Sequence, residues 1–324
     1  MWIYIVRRTF QSIVVLLLVS LLCFTLMHMM PGNPWTFVGM KLADHIYAEE
    51  QIRLHSLDQP IYIQYILWLK GLSTGYLGQD YNGNAIDQYI WSYVKNSLIL
   101  VGTAWLLSIM IAVPWGIYNS RKPYGLSDRT ALLLSLTGLC IPGFVLGYLL
   151  QQIFAMDLFN MDLLWLPPSG MHTPSKEGEV GDLLIHMILP VLTLTIGNLA
   201  YYLRFVRNNM IEVLPSEFLL TARAKGASEK RIIYRHAFKN AAIPMVTMLA
   251  MDIPVMVGGS AVIENVFNWQ GIGLLLVWTA QNRDLPVLLA IIMIVSLVVI
   301  IANWIADILY TWIDPRVRLT RSSR

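Results

Sequence analysis

Six apolar runs, separated by polar stretches of very unequal length, set the pattern of this sequence. They cover about residues 9–30, 96–118, 130–156, 183–203, 241–267 and 288–310. Each is long enough to cross the hydrocarbon core of a bilayer as a helix, which takes roughly 20 residues. The first run follows Arg7 and Arg8 and has the outline of a signal peptide. Its apolar core is about 22 residues, against roughly 7–15 in a signal peptide, and no small-residue cleavage site precedes Pro31-Gly32. A retained transmembrane helix is predicted. Pro114 interrupts the second run, which membrane helices tolerate. Residues 140–144 of the third, CIPGF, invite a kink, because proline removes a backbone donor and glycine loosens the turn.

The polar stretches differ in kind. Residues 31–94 form an aromatic-rich insert that cannot span. Within it Ile61, Tyr65 and Trp68 recur at helical spacing and predict a short amphipathic helix on or near the membrane. Between the third and fourth runs lies a segment with Trp165-Leu-Pro-Pro and a Lys176/Glu177/Glu179 cluster. The longest interior segment that no membrane could accept is 221–244, TARAKGASEKRIIYRHAFKNAAIP. Arg223, Lys225, Lys230, Arg231, Arg235 and Lys239 fall inside it. A charge at the bilayer centre costs at least ~2.5 kcal/mol, so these six cations belong in water or against another protein.

The order within this segment predicts a shape. Residues 217–225 read as a short helix stopped at Gly226, and Ser228 can N-cap a second, with Glu229 at its positive end. Ile232, Ile233, His236, Ala237 and Ala241 then share one helical face. The result is a knob, apolar on one side and basic on the other, built to dock into something. Composition alone favours the plainer reading, an ordinary positive cytoplasmic loop.

Composition and charge add orientation. Of the residues, 56% are hydrophobic and 13% charged, against about 25% charged in soluble domains. Cys23 and Cys140 both fall in apolar runs and read as buried packing residues rather than a disulfide. The net charge is only +3, but its distribution is uneven. With the N-terminus inside, Arg7 and Arg8, the 119–129 turn, the 204–240 loop and the tail hold 17 of the 23 lysines and arginines. The positive-inside rule therefore places both termini and the knob in the cytoplasm.

With Ala222, Gly226 and Ile243-Pro244 in place, the segment resembles the EAA loop of bacterial ABC importer permeases. TARAKGAS followed by HAFKNAAIP resembles the dipeptide/oligopeptide/nickel branch, although Leu220-Thr221-Ala222 stands where Glu-Ala-Ala is frequent. The resemblance extends to PGNP and LDQP…QY in the insert, to the IPxF and HMILP elements, and to GGSAVIENVFNWQGIG. Departures are Asn33, Ser56, Tyr76 and Asp80 in the insert and Gln270 in the last motif. The resemblance implies an all-α integral membrane protein with six transmembrane helices in the type I ABC permease fold. Residues 1–30 would be the first helix, 31–94 an extracytoplasmic loop, 95–311 the core and 312–324 a cytoplasmic tail. It implies a coupling set of Thr221, Ala222, Lys225, Gly226, Ala227, Ser228, Glu229, Arg231, Ile232, Ile233 and His236. The implied partners are a homologous second permease, two ABC ATPase subunits and an extracytoplasmic substrate-binding protein, within a bacterial cell membrane.

Residue chemistry of other kinds is sparse. There is no GxxxxGK[ST], HExxH, GxSxG or CxxC, so ATP is expected on partner subunits and no cofactor, metal or nucleic acid on this chain. The six histidines offer no i, i+4 pair, and the methionines lie mostly within spans, where they are ordinary filler. Polar groups inside the spans are the better guide. Asp252 is the deepest carboxylate. It either lines a substrate path or sits near the cytoplasmic end paired with a basic residue. Asn198 and Asn303 either line the path or bond between helices. The resulting expectation is a permease subunit of a peptide importer. A nickel or metallophore importer has the same architecture, and a multi-span enzyme would need paired catalytic groups that the sequence does not show.

Overall fold

The computed structural model describes residues 2–29, 59–157 and 165–313, and among them the chain is helical with no strand. The insert's PGNP start, Asn33 and Ser56 lie outside the described residues. In chain order the helices are α1 (Trp2–Met29), α2 (Ile61–Ser73), α3 (Ile86–Arg121), α4 (Leu126–Cys140) and α5 (Gly143–Gln151). They continue with α6 (Val180–Val213), α7 (Glu217–Ala224), α8 (Phe238–Gly259), α9 (Ala261–Val266), α10 (Ile272–Asn282) and α11 (Leu285–Ile313). Among the described residues, four stretches are long and apolar enough to cross a membrane: Val6–Met29, Ile86–Arg121, Val180–Val213 and Leu285–Ile305. Leu126–Cys140 with Gly143–Met156 makes a fifth if the bent pair is one span. At the fifth expected run stands α8, a helix of 22 residues.

Three boundaries differ from the sequence pattern. The expected kink in the third run is a full break of 101°. Ile141, ahead of Pro142, takes extended angles (φ −83°, ψ 119°), because a residue before proline is pushed out of the helical region. The fourth helix runs on to Val213, so residues 204–213 are helix and not loop. The fifth stops at Gly259, after a Gly-Gly pair that favours helix poorly, and restarts at Ala261. The cysteines also depart from expectation: Cys23 is half-buried and Cys140 exposed, both as free thiols.

The chain divides into two compact units, Met1–Asn96 with Gly271–Ile300, and Ser97–Gln270 with Ile301–Arg324. In the first, Ile86 and Ile90 of α3 pack with Ile272 and Leu275 of α10 and Val287 and Ile291 of α11. The predicted amphipathic helix is α2. Its Tyr65 packs edge-on and its Trp68 tilted against Phe24 of α1, with ring centroids 5.3 and 5.6 Å away, and Tyr65 Oη lies 2.8 Å from Ser20 Oγ. Ile61 does not join them and is exposed.

A polar clip closes this unit beside α11. The Tyr81 phenol donates to the Arg283 carbonyl and accepts from the Leu285 amide at 3.2 Å. Burial pushes that phenol up to about 12, which keeps it a donor. Asp284, only 2% exposed, faces the amides of Tyr81 and Val287 at 3.4 and 3.5 Å. Burial raises its carboxyl to about 6; the two amides oppose the rise and the nearby Asp80 charge adds to it. A carboxyl raised on folding contributes stability at pH values below its unfolded value, and that contribution is lost as pH rises through about 6. Asp284→Asn, which keeps an acceptor for one of the two amides, should therefore raise the thermal midpoint of purified protein more at about pH 8 than near pH 4. An equal shift at both pH values would show that shape rather than charge decides the position.

In the second unit α6 is the central helix. Ala200, Tyr202, Leu203, Val206 and Met210 are all buried. Glycines bring α4 and α5 close to their neighbours: a Cβ on Gly138 would stand 3.2 Å from the Ile196 carbonyl, and one on Gly147 3.1 Å from Phe267. Trp269 and Glu264 of the last motif are fully buried. Ser97 and Ser260 donate to Glu264 Oε1 at 2.7 and 2.5 Å, which binds the restart at α9 to α3. The segment before α6 is held by Thr173, whose amide and hydroxyl both donate to Asp182 at 2.7 Å, and by His186 Nδ1 donating to the Gly170 carbonyl at 3.0 Å.

Candidate functional site

The basic knob is built on a helix end. α7 finishes at Ala224, and Gly226 takes φ +78°, the left-handed conformation that closes many helices. The Gly226 amide donates to Arg223 O at 2.9 Å and the Ala227 amide to Ala222 O at 3.2 Å, a Schellman pair that satisfies two end carbonyls. Arg223 Nε donates to Glu229 at 3.0 Å across the corner. Ser228 has the extended backbone of an N-cap, but its side chain makes no cap bond, contrary to expectation. Nor does Ser228 open a separate short helix. A turn at Glu229–Arg231 passes through a π-helical stretch, Ile232–Ala237, directly into α8.

This continuity fixes the knob to the membrane helices. Leu219, Ile232, Ile233, Ala237, Ala241 and Met245 are buried together with Ile117 of α3 and Val206 and Met210 of α6. Fully burying one such isoleucine is worth about 2 kcal/mol, so the knob has an apolar base as firm as a small core. The expected coupling residues divide accordingly. Ile232 and Ile233 lie inside this base, and Ala222, Ala227 and His236 are half-buried. Thr221, Lys225, Gly226, Ser228, Glu229 and Arg231 are exposed. Phe218, Leu220 and Tyr234, absent from the expected coupling set, expose 45%, 54% and 53% of their surface on the same knob. The sequence does carry a signal for them: each is a large apolar residue lying off the stripe of Leu219, Ile232 and Ile233.

Asp252 lies on α8, half-buried, and accepts a hydrogen bond from Tyr202 Oη of α6 at 2.9 Å. Tyr202 itself is buried among Ala112, Ala131, Leu203 and Met248, with Trp105 and Leu199 alongside. Among the described residues no cation pairs with Asp252, so the basic partner weighed for it is replaced by a phenol. Asn198, one helical turn before Tyr202, is half-buried, as is Asn303 on α11. Among the described residues no hydrogen bond joins either asparagine to Asp252.

Comparison with known proteins bears on both features. Residues 104–319 match the family described as the binding-protein-dependent transport system inner membrane component, and residues 1–100 match its N-terminal companion. The chain belongs to this family. It is 35% identical over 316 residues to the oligopeptide transport system permease protein AppB of Bacillus subtilis, covering 97% of this chain and 98% of that protein. The dipeptide transport system permease protein DppB of Alkalihalophilus pseudofirmus is 33% identical over 335 residues, covering 97% and 99%. The glutathione transport system permease protein GsiC of Salmonella typhi is 34% identical over 321 residues, covering 97% and 98%. The binding-protein-dependent permease is thus a transport component and a multi-pass inner membrane protein of the type I fold.

Proposed function

We propose that this permease forms half of the translocation pathway of an ATP-driven importer for peptides. The observation that carries the reading is the knob: an exposed, cation-bearing corner on a base sunk between α3 and α6. Its partner would be an ABC ATPase, whose cleft takes the exposed Thr221, Lys225, Ser228, Glu229 and Arg231 together with Phe218, Leu220 and Tyr234. ATP is then bound and hydrolysed on the two ATPase subunits and not on this chain. A second, homologous permease completes the path, and a substrate-binding protein delivers cargo from the opposite side. The excess of lysine and arginine on the knob's side supports cytoplasmic placement of the knob and both termini. A cysteine at Ser228 should accordingly react only once the cytoplasmic face is opened, and one at Ser175 in intact cells lacking an outer barrier.

Relatives named for oligopeptide, dipeptide and glutathione transport support a peptide cargo over nickel. A permease shifts its two access states only through contacts that differ between them, and the knob supplies such a contact. Proteoliposomes containing the four membrane-associated subunits should accumulate a short labelled peptide only with ATP inside and loaded binding protein outside. Accumulation of nickel with no peptide uptake would move the assignment to the metal branch.

A further inference from the structure

One ion pair lies beside the base of the knob and is not part of it. Arg207 of α6 presents Nε to Asp128 Oδ1 at 2.5 Å and Nη2 to Asp128 Oδ2 at 2.7 Å. The fork is two-pronged, the geometry in which arginine fixes a carboxylate's direction as well as its charge. The Asp128 side chain is fully buried and that of Arg207 is 12% exposed. Asp128 also accepts the Tyr124 amide at 2.8 Å, and Arg207 Nη1 donates to Asn208 Oδ1 at 3.1 Å.

The surroundings make this a junction of three helices. A Cβ on Gly116 of α3 would stand 2.8 Å from Val206 Cγ1 and 3.2 Å from the Arg207 amide, so α3 touches α6 at this very turn. Trp115 of α3 donates to Ser127 Oγ of α4 at 3.1 Å, and Ser127 donates to Asn119 Oδ1 of α3 at 2.8 Å. Val206 and Met210, which flank Arg207, belong to the apolar base of the knob. One turn of α6 therefore carries the knob on one side and the ion pair on another. At the far end of α4 stands the break at Ile141–Pro142, where extended backbone replaces the helical ladder.

We propose that Arg207 and Asp128 are positioning residues for transport: they pass movement of the knob from α6 into α4, which acts as a lever about the break at Ile141–Pro142. A buried ion pair is a poor device for stability, because desolvation offsets its attraction, and well-packed apolar residues serve that end as well. It is a good device for holding two helices in one angular relation, since both prongs must stay in register. This inference rests on reading the knob as the element that meets the ATPase.

The test uses the whole importer, reconstituted with its partner permease, ATPases and binding protein. Asp128→Asn and the double variant Asp128→Asn with Arg207→Gln, neither of which strands the buried carboxylate, should insert normally, retain the ATPases and hydrolyse ATP at the basal rate. The amount of peptide imported per ATP should fall by about tenfold, the scale of an ordinary coupling free energy. Arg207→Lys, which keeps the charge and one bond, should recover part of the loss. Wild-type ratios in both neutral variants would overturn the lever. So would loss of the protein from the membrane in all three variants, which would make the pair a folding element. Gly226→Val run alongside separates the two readings. A normal result there removes the docking role and the lever with it, whereas normal results in the pair variants alone remove only the lever.

Discussion

Gly226→Val should leave the permease in the membrane at normal amounts and abolish substrate uptake. Gly226 holds φ +78°, and an added Cβ would meet nothing within 4 Å. The penalty is therefore conformational and not a clash. An L-residue in that region costs roughly 1–2 kcal/mol, and a β-branched one more. That cost is enough to open a corner secured by two backbone hydrogen bonds and one exposed ion pair, but small beside the burial that holds the helices. A graded series is expected: Asn at 226 should retain most uptake, Ala less and Val none, because asparagine enters the left-handed region more readily than the others. Ala222→Asp should reproduce the loss by another route, placing a carboxylate against the apolar base. Both variants should either lose the co-purifying ATPases or keep hydrolysis that loaded binding protein no longer stimulates. Normal uptake by Gly226→Val with its ATPases bound would reduce the knob to an ordinary basic connection.

The second large effect is expected at Asp252. Asn at this position can still accept the Tyr202 hydroxyl, so Asp252→Asn removes the charge and little of the geometry. Uptake of peptides bearing lysine or arginine should then fall by about tenfold relative to neutral peptides. A charge pair at 4 Å in an effective dielectric of ~20 is worth about 4 kcal/mol before desolvation is subtracted. Tyr202→Phe, which leaves the carboxylate in place, should preserve the preference for cationic cargo. Equal loss for all peptides in Asp252→Asn would assign the residue to helix packing.

Much of the knob could be read from the sequence because its determinants are local. Six cations cannot enter a bilayer, a glycine after a short polar helix marks a corner, and Ile232, Ile233, Ala237 and Ala241 repeat at helical spacing. What escaped is what depends on distant partners. Arg207 looked like a loop cation because its carboxylate, Asp128, comes 79 residues earlier in the chain. With that partner the fourth helix continues past Arg204 to Val213. Glu264 sat inside a recognised motif, yet its bond to Ser97 spans 167 residues and has no local signature. Composition also announced a bend at Pro142 but not its size. Proline fixes where a ladder is interrupted, but the size of the turn is set with distant residues such as Phe267, against which Gly147 of α5 lies.

That interruption governs where lipid can go. A helix broken at Ile141–Pro142 forfeits the amide that would have served the preceding turn, and Pro142, Gly143 and Phe144 are exposed on the isolated chain. Acyl chains offer no hydrogen bonds, so bare carbonyls in their midst would each cost several kcal/mol. Hydrocarbon is thus a forbidden neighbour for this short arc. Water or a protein surface is the neighbour that this arc requires.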